Sequence, residues 1–202
     1  MTSVNYRFPR LYEALLRLSY GSHYAERYRR VAALLPDGAR VVDYCCGDAQ
    51  LYRLCLERRH VHYLGLDFNA HFLKRLERLN IEARPFDLKA DPPVPSDYAV
   101  MMGSLYQFIP DHRAAVERIL SACGYFVIVE PVANMGNARS WWKRQLAAAL
   151  NNPGDGVKTH RFSRDTFDAF VHESFAGRVE RLEHWDMESL LVLRGDRPVY
   201  RT

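Results

Sequence analysis

From about residue 38 to residue 130, short apolar runs alternate with segments of helical period. ARVVDYC, VHYLGLD, DYAVMMG and YFVIVEP are nearly continuous in apolar residues, without in–out alternation. Strands buried on both faces have that pattern, and such strands belong to parallel sheets. IEARPFD, near 81–86, predicts a further short strand. Between the runs, Phe72, Leu76 and Leu79 share one helical face. Val116, Ile119 and Leu120 share another, in a helix that Asp111 is placed to cap. Strand and helix in alternation predict a parallel sheet with right-handed crossovers.

The two ends depart from this rhythm. A helix starting near Pro9 keeps Leu11, Leu15 and Leu18 on one stripe. A second, from about Ser22, aligns Tyr24, Tyr28, Val31 and Leu35, and Pro36-Asp37-Gly38 stops it. Residues 131–160 are longer than an ordinary connection. They hold an amphipathic helix aligning Trp142, Leu146, Ala149 and Leu150, then the turn cluster NNPGDG. Regular structure resumes at Ser163, a good N-cap, with Phe167, Phe170 and Val171 facing inward. RVERLEHWDMESLLVLRGD fits two strands in a hairpin. The expected organisation is one α/β domain: a helical cap (1–37), a core (38–130), a lid insertion (131–160) and a C-terminal helix with hairpin (161–202).

Charge adds one question. The chain of 202 residues carries a formal net charge of +4. Its first forty residues hold Arg7, Arg10, Arg17, Arg27, Arg29, Arg30 and Arg40 against Glu13, Glu26 and Asp37, which accounts for the whole excess. The plain reading is a solvated helical face; the other is attraction of an anionic substrate or membrane surface. No lysine- and arginine-rich block or aromatic signature points to nucleic acid. No apolar run is long enough to span a membrane, so integral membrane association is not expected. MTSVNYRFPR lacks the apolar stretch of a signal peptide, so the expected location is cytoplasmic. Four cysteines in a chain of this length do not suggest a disulfide framework.

The candidate chemistry begins at VVDYCCGDAQLYR, residues 41–53. A strand running into a turn and helix is where an open parallel sheet binds its ligand. Nowhere does the chain carry the G-x-G-x-x-G that brings a pyrophosphate against backbone amides. Asp43 and Asp48 flank the turn, and each would repel a phosphate, by about 4 kcal/mol at ~4 Å and an effective dielectric of about 20. A cofactor with a cationic end fits better. Cys45 and Cys46 at a helix start invite the alternative of a thiolate of lowered pKa, but the favoured reading is small apolar fillers under a cofactor. A metal reading would recruit Cys55, His60 and His62, but their spacing matches no zinc pattern, so no metal is expected.

Asp43-x-Cys45-x-Gly47-x-Ala49 resembles the D-x-G-x-G-x-G motif of class I S-adenosylmethionine-dependent methyltransferases, with small residues replacing the first and third glycines. Asp67, closing the second strand, matches the acidic residue that grips the ribose hydroxyls in that family, and Phe68 follows where an apolar residue packs on the adenine. Asp87, with Leu88 beside it, matches the acceptor for the adenine amino group. Gly103, Ser104, Leu105 and Tyr106 match the segment beside the methionine moiety. The resemblance implies a Rossmann-like three-layer sandwich with a mostly parallel seven-stranded sheet, a C-terminal antiparallel hairpin and an N-terminal helical cap. It also implies S-adenosyl-L-methionine as cofactor and S-adenosyl-L-homocysteine as product.

For catalysis the candidates are Tyr106, Glu130 and His23, with Tyr24 and His160 nearby in the flanking caps; each is equally readable as packing. The aromatic residues Tyr12, Tyr20, Tyr24, Trp141 and Trp142 in the caps favour a small or mid-sized, partly apolar acceptor. The Trp pair reads equally as packing or a homodimer interface. The Asn/Asp-Pro-Pro-aromatic motif of DNA amino-methyltransferases is absent after the fourth strand. Two rivals stand beside this reading: a non-catalytic cofactor-binding protein on the same fold, and a nicotinamide-dependent oxidoreductase, which the loop disfavours.

Overall fold

The computed structural model describes residues 24–132 and 161–199. Helix α1 (Tyr24–Ala32) precedes strand β1 (Arg40–Tyr44), a π-helical turn (Tyr52–Leu56) and β2 (His62–Asp67). Helix α2 (Ala70–Arg78), β3 (Ala83–Pro85) and β4 (Ser96–Met102) follow. After a 3-10 turn (Leu105–Phe108) come α3 (His112–Leu120), β5 (Cys123–Pro131), α4 (Arg164–Phe175), β6 (Val179–Trp185) and β7 (Glu188–Arg194). The seven strands form one sheet in the order β3-β2-β1-β4-β5-β7-β6. The first five are parallel, and β7 runs antiparallel to both β5 and β6.

Burial explains the order. The FVIV run of β5 and the LLVL run of β7 are buried on both faces and occupy interior positions. Strand β6 carries VERLEHW, largely part-exposed, and takes an edge. Strand β3 takes the other edge and is cut short by Pro85, a residue that suits an unpaired edge. It is shorter than the 81–86 run because Ile81 and Phe86 turn into the core on either side of it.

Two apolar layers hold the sheet. On one face, Tyr28, Val31 and Leu35 meet Val41, Val100, Val127, Val129 and Leu190. On the other, Val116, Ile119 and Leu120 of α3 and Phe167, Phe170 and Val171 of α4 cover Ala99, Met101, Phe126 and Ile128. The molecule is therefore a Rossmann-like three-layer sandwich with a parallel core and a C-terminal antiparallel hairpin. The described part of the expected cap is helix α1. Helix α1 lies on the sheet face as a layer, because its apolar stripe is complementary to that face. It ends before Pro36, and Arg59 caps it by donating to the carbonyls of Ala32 and Leu35, both at 2.6 Å. The helix expected near Pro9 and the one around Trp142 lie outside the described residues.

Local signals fare unevenly. Ser163 caps α4 through a capping box with Thr166. Asp111 precedes α3 but makes no side-chain capping bond. Leu79 ends α2 as its C-cap and is 47% exposed, so the inward face of α2 is Phe72 and Leu76 alone.

Candidate functional site

Because the sheet is parallel, the turns after β1, β2, β3, β4 and β5 all open at one edge. The chain runs outward from β1 to β3 and then returns to start β4 on the other side of β1. That reversal puts the switch point between β1 and β4, where open α/β sheets form the crevice that binds ligands.

The turn after β1 is unusual. Cys45, Gly47 and Ala49 all adopt left-handed backbone conformations, with φ of 58°, 57° and 52°. For a non-glycine residue this costs about 1–2 kcal/mol. The conformation that three glycines would take freely is thus kept by two residues that resist it. Closure of the turn accounts for this: the Cys46 amide donates to the Leu66 carbonyl of β2 at 3.1 Å, and Ala49 donates back to Cys46 at 2.9 Å. Asp67 completes the clasp. One of its oxygens accepts from the Gly47 amide at 2.8 Å, the other from the Asn69 amide at 2.8 Å. The carboxylate expected to grip a ribose therefore also fixes the loop.

Asp43 is buried at the end of β1 and accepts from the Tyr63 hydroxyl at 2.9 Å. Burial pushes its pKa up to about 7; the Tyr63 hydrogen bond opposes the shift and the nearby Asp67 adds to it. Burial likewise raises Asp67, against the pull of its backbone donors. Asp48 does not act as expected. Its carboxylate accepts from Gln50 at 2.7 Å and lies 3.2 Å from both Arg53 and Arg75, so its charge is matched and tied to α2. Repulsion of a pyrophosphate at this turn therefore rests on Asp43, not on two carboxylates.

The thiol expectation is also corrected. Burial, followed by the carboxylates of Asp67 and Asp43, raises the Cys45 pKa, and the same groups raise Cys46 well above the ordinary thiol range. The helix that was to lower them is a single π-helical turn, and negative charge surrounds the sulfurs instead. Among the described residues, no group of three or more His, Cys, Asp and Glu comes together as a metal site.

The other cofactor candidates line the same edge. Phe68 follows Asp67 and is 54% exposed, a large apolar ring held in solvent beside that carboxylate. Asp87 is exposed after β3, where one oxygen accepts from the Lys89 amide, while Leu88 is buried in the core below. Gly103 takes a left-handed φ of 66° after β4, where a side chain would approach Arg27. Ser104 and Leu105 are buried behind it.

Glu130 and Tyr106 meet here, but as a brace. Glu130 is fully buried and accepts from the amides of Leu105 at 3.0 Å and Tyr106 at 3.4 Å. Burial raises its pKa to about 8, against those two bonds and the charges of Arg161 and Arg27. Tyr106 is buried, with the Arg161 guanidinium 3.9 Å above its ring. His23 and His160 lie outside the described residues, and so does the side chain of Tyr24.

Four residues at this edge were not among the site candidates. Arg27 of α1 pairs with Glu188 of β7 at 3.1 Å, both almost fully buried. Its signal was there to read: Arg27 sits three residues after Tyr24 and four before Val31, on the apolar stripe. Tyr63 and Arg161 gave no such signal, since their partners are distant in sequence. Of the excess arginines, the other described ones are engaged with carboxylates too: Arg29 and Arg30 with Glu26, and Arg40 with Asp97.

A seven-stranded sheet in this order, with an acidic strand end and a left-handed turn at the switch point, defines a Rossmann-like α/β domain. Comparison with known proteins narrows it. The family model described as "Methyltransferase domain" matches residues 17–174, and the chain belongs to that family. Solved structures share the fold. One is a Haloferax volcanii chain held in a complex with the Trm112 methyltransferase activator (TM-score 0.68, 13% identity, 98% of this chain and 100% of that one). Another is the mitomycin 7-O-methyltransferase (TM-score 0.65, 18% identity, 96% of this chain and 60% of that one). A third is an S-adenosylmethionine dependent methyltransferase from Mesorhizobium loti (TM-score 0.62, 22% identity, 86% and 98%). No curated protein matches this sequence. Among the described residues, no helix is long and apolar enough to cross a membrane.

Proposed function

We propose that the protein transfers a methyl group from S-adenosyl-L-methionine to a small or mid-sized, partly apolar acceptor, releasing S-adenosyl-L-homocysteine. The observation that carries this reading is the β1 turn: three successive alternate residues in left-handed conformation, fastened to Asp67, with Asp43 buried beneath. When bound, the cofactor supplies an activated methyl on a sulfonium. The residues suit its other groups. Asp67 offers oxygens to a ribose diol, exposed Phe68 a face to adenine, and Asp87 an acceptor at the far end. Asp43 puts negative charge under a cationic tail. Cys45, Gly47 and Ala49 are small enough to let the backbone approach.

Glu130 and Tyr106 are packed as supports of the segment after β4, so we assign them positioning rather than proton transfer. Placement alone can contribute roughly 7–11 kcal/mol toward a barrier, and methyl transfer to an already nucleophilic atom needs no base. A small acceptor is in keeping with the mitomycin methyltransferase among the similar structures.

Calorimetric titration with S-adenosylhomocysteine and, separately, with NAD tests the reading. Binding of S-adenosylhomocysteine is expected, and Asp67→Asn should weaken it by about 1–3 kcal/mol through loss of a charged acceptor. Binding of NAD alone would refute the proposal. Incubation with methyl-labelled cofactor and an acceptor library then separates an enzyme from a cofactor-binding protein.

A further inference from the structure

Arg161 is a cation at this edge, and part of its guanidinium has no partner. It is half-buried immediately before α4. Its guanidinium carbon lies 3.9 Å from the centre of the Tyr106 ring, a cation–π contact, and a hydrogen bond between the two side chains adds to it. Its Nη2 is buried and has no hydrogen-bond partner. A buried charged donor without a partner is costly, and such a group in a folded protein calls for an explanation. Glu130 is near enough to feel its charge but directs its oxygens to the amides of Leu105 and Tyr106.

Position indicates what the free donor faces. Asp67, which marks the ribose end, closes β2, while Tyr106 and Glu130 follow β4 and end β5. Strands β2 and β5 are separated by β1 and β4, so at ordinary strand spacing the two ends lie about 14 Å apart. Arg161 therefore stands beyond the segment assigned to the methionine end, on the side left to the acceptor. We infer that Arg161 recognises a carboxylate on the methyl acceptor, the guanidinium held by Tyr106 and presenting its unpartnered Nη2 donor. The acceptor class is thus a small organic acid. This rests on the methyltransferase reading above. The same carboxylate chemistry could come from the methionine end of the cofactor, and the test separates the two sources.

The experiment uses the full chain and two variants, Arg161→Gln and Arg161→Lys, with circular dichroism to confirm folding. S-adenosylhomocysteine is titrated first. Both variants should bind it within about two-fold of the parent protein. A ten-fold loss in Arg161→Gln would mean that the residue serves the cofactor and would overturn the inference. Failure of the parent protein to bind S-adenosylhomocysteine at all would instead overturn the methyltransferase reading. With S-adenosylhomocysteine saturating, a panel of aryl and alkyl carboxylic acids and their matched primary amides is then screened by ligand-observed NMR. At least one acid should bind ten-fold or more tightly than its amide. Arg161→Gln should abolish that preference, and Arg161→Lys, which keeps the charge and loses the planar fork, should retain part of it. No acid-over-amide preference in the parent protein, or one that survives Arg161→Gln, overturns the assignment.

Discussion

Asp43→Asn is expected to stabilise the ligand-free protein while destroying its affinity for a cationic cofactor. Asp43 is buried at the end of β1, where its carboxylate accepts from the Tyr63 hydroxyl at 2.9 Å. Asparagine keeps an acceptor for that hydroxyl and cannot ionise. Burial lifts the Asp43 pKa from 3.8 to about 7, and that difference corresponds to about 4 kcal/mol. The folded state thus holds a proton that the unfolded chain releases first. The resulting stabilisation is fully present below about pH 3.8 and is lost as pH rises to about 7. The variant escapes this loss. Its advantage in urea unfolding should be small near pH 4 and should widen by roughly 2–3 kcal/mol between about pH 5 and pH 8. A cationic ligand should draw the proton off, so titration of the parent protein with S-adenosylhomocysteine in buffers of different ionisation enthalpy should report proton release near pH 7. The variant should show neither release nor binding. An advantage independent of pH, or unchanged affinity in Asp43→Asn, would refute the idea that a buried carboxylate is kept here at the expense of stability for a cation.

Two further outcomes follow from the same edge. Ala49→Gly should leave unfolding free energy within about 1 kcal/mol of the parent, because relief of the left-handed strain is offset by lost unfolded-state restriction and a lost buried methyl. Ala49→Val should lose more than about 2 kcal/mol, since a β-branched residue suits neither a φ of 52° nor a fully enclosed site; a stable valine variant would disprove the conformation. Arg27→Met should destabilise by about 3–5 kcal/mol by leaving Glu188 buried and uncompensated, and the double variant with Glu188→Met should recover most of that loss in denaturant unfolding. Additive losses would show that the two residues do not pair.

Much of the fold was legible because it rests on short-range pattern. Continuous apolar runs such as FVIV in β5 mark strands buried on both faces wherever they occur, and Ser163 with Thr166 writes a helix start within four residues. Alternation of strand and helix then leaves few topologies. The candidate edge was legible for the related reason that strand ends carry the turn residues: Asp43, Cys45, Gly47, Asp67 and Gly103 all stand at carboxyl ends that the pattern located.

What the chain alone left open depends on pairs far apart along it. That Asp67 fastens Gly47, that Tyr63 meets Asp43, and that Arg27 reaches Glu188 are consequences of sheet order, which brings residues 20 and more positions apart to one edge. Burial decided the titration states and reversed the thiol expectation, because a helix start lowers a thiol pKa only where burial and nearby carboxylates do not outweigh it. Packing also joined Glu130 to the amides of Leu105 and Tyr106, the contacts behind the supporting role proposed for both. Sequence determined which residues stand at the mouth of the crevice; tertiary structure decided which of them are already occupied with one another, since hydrogen bonding and desolvation act through space and not along the chain.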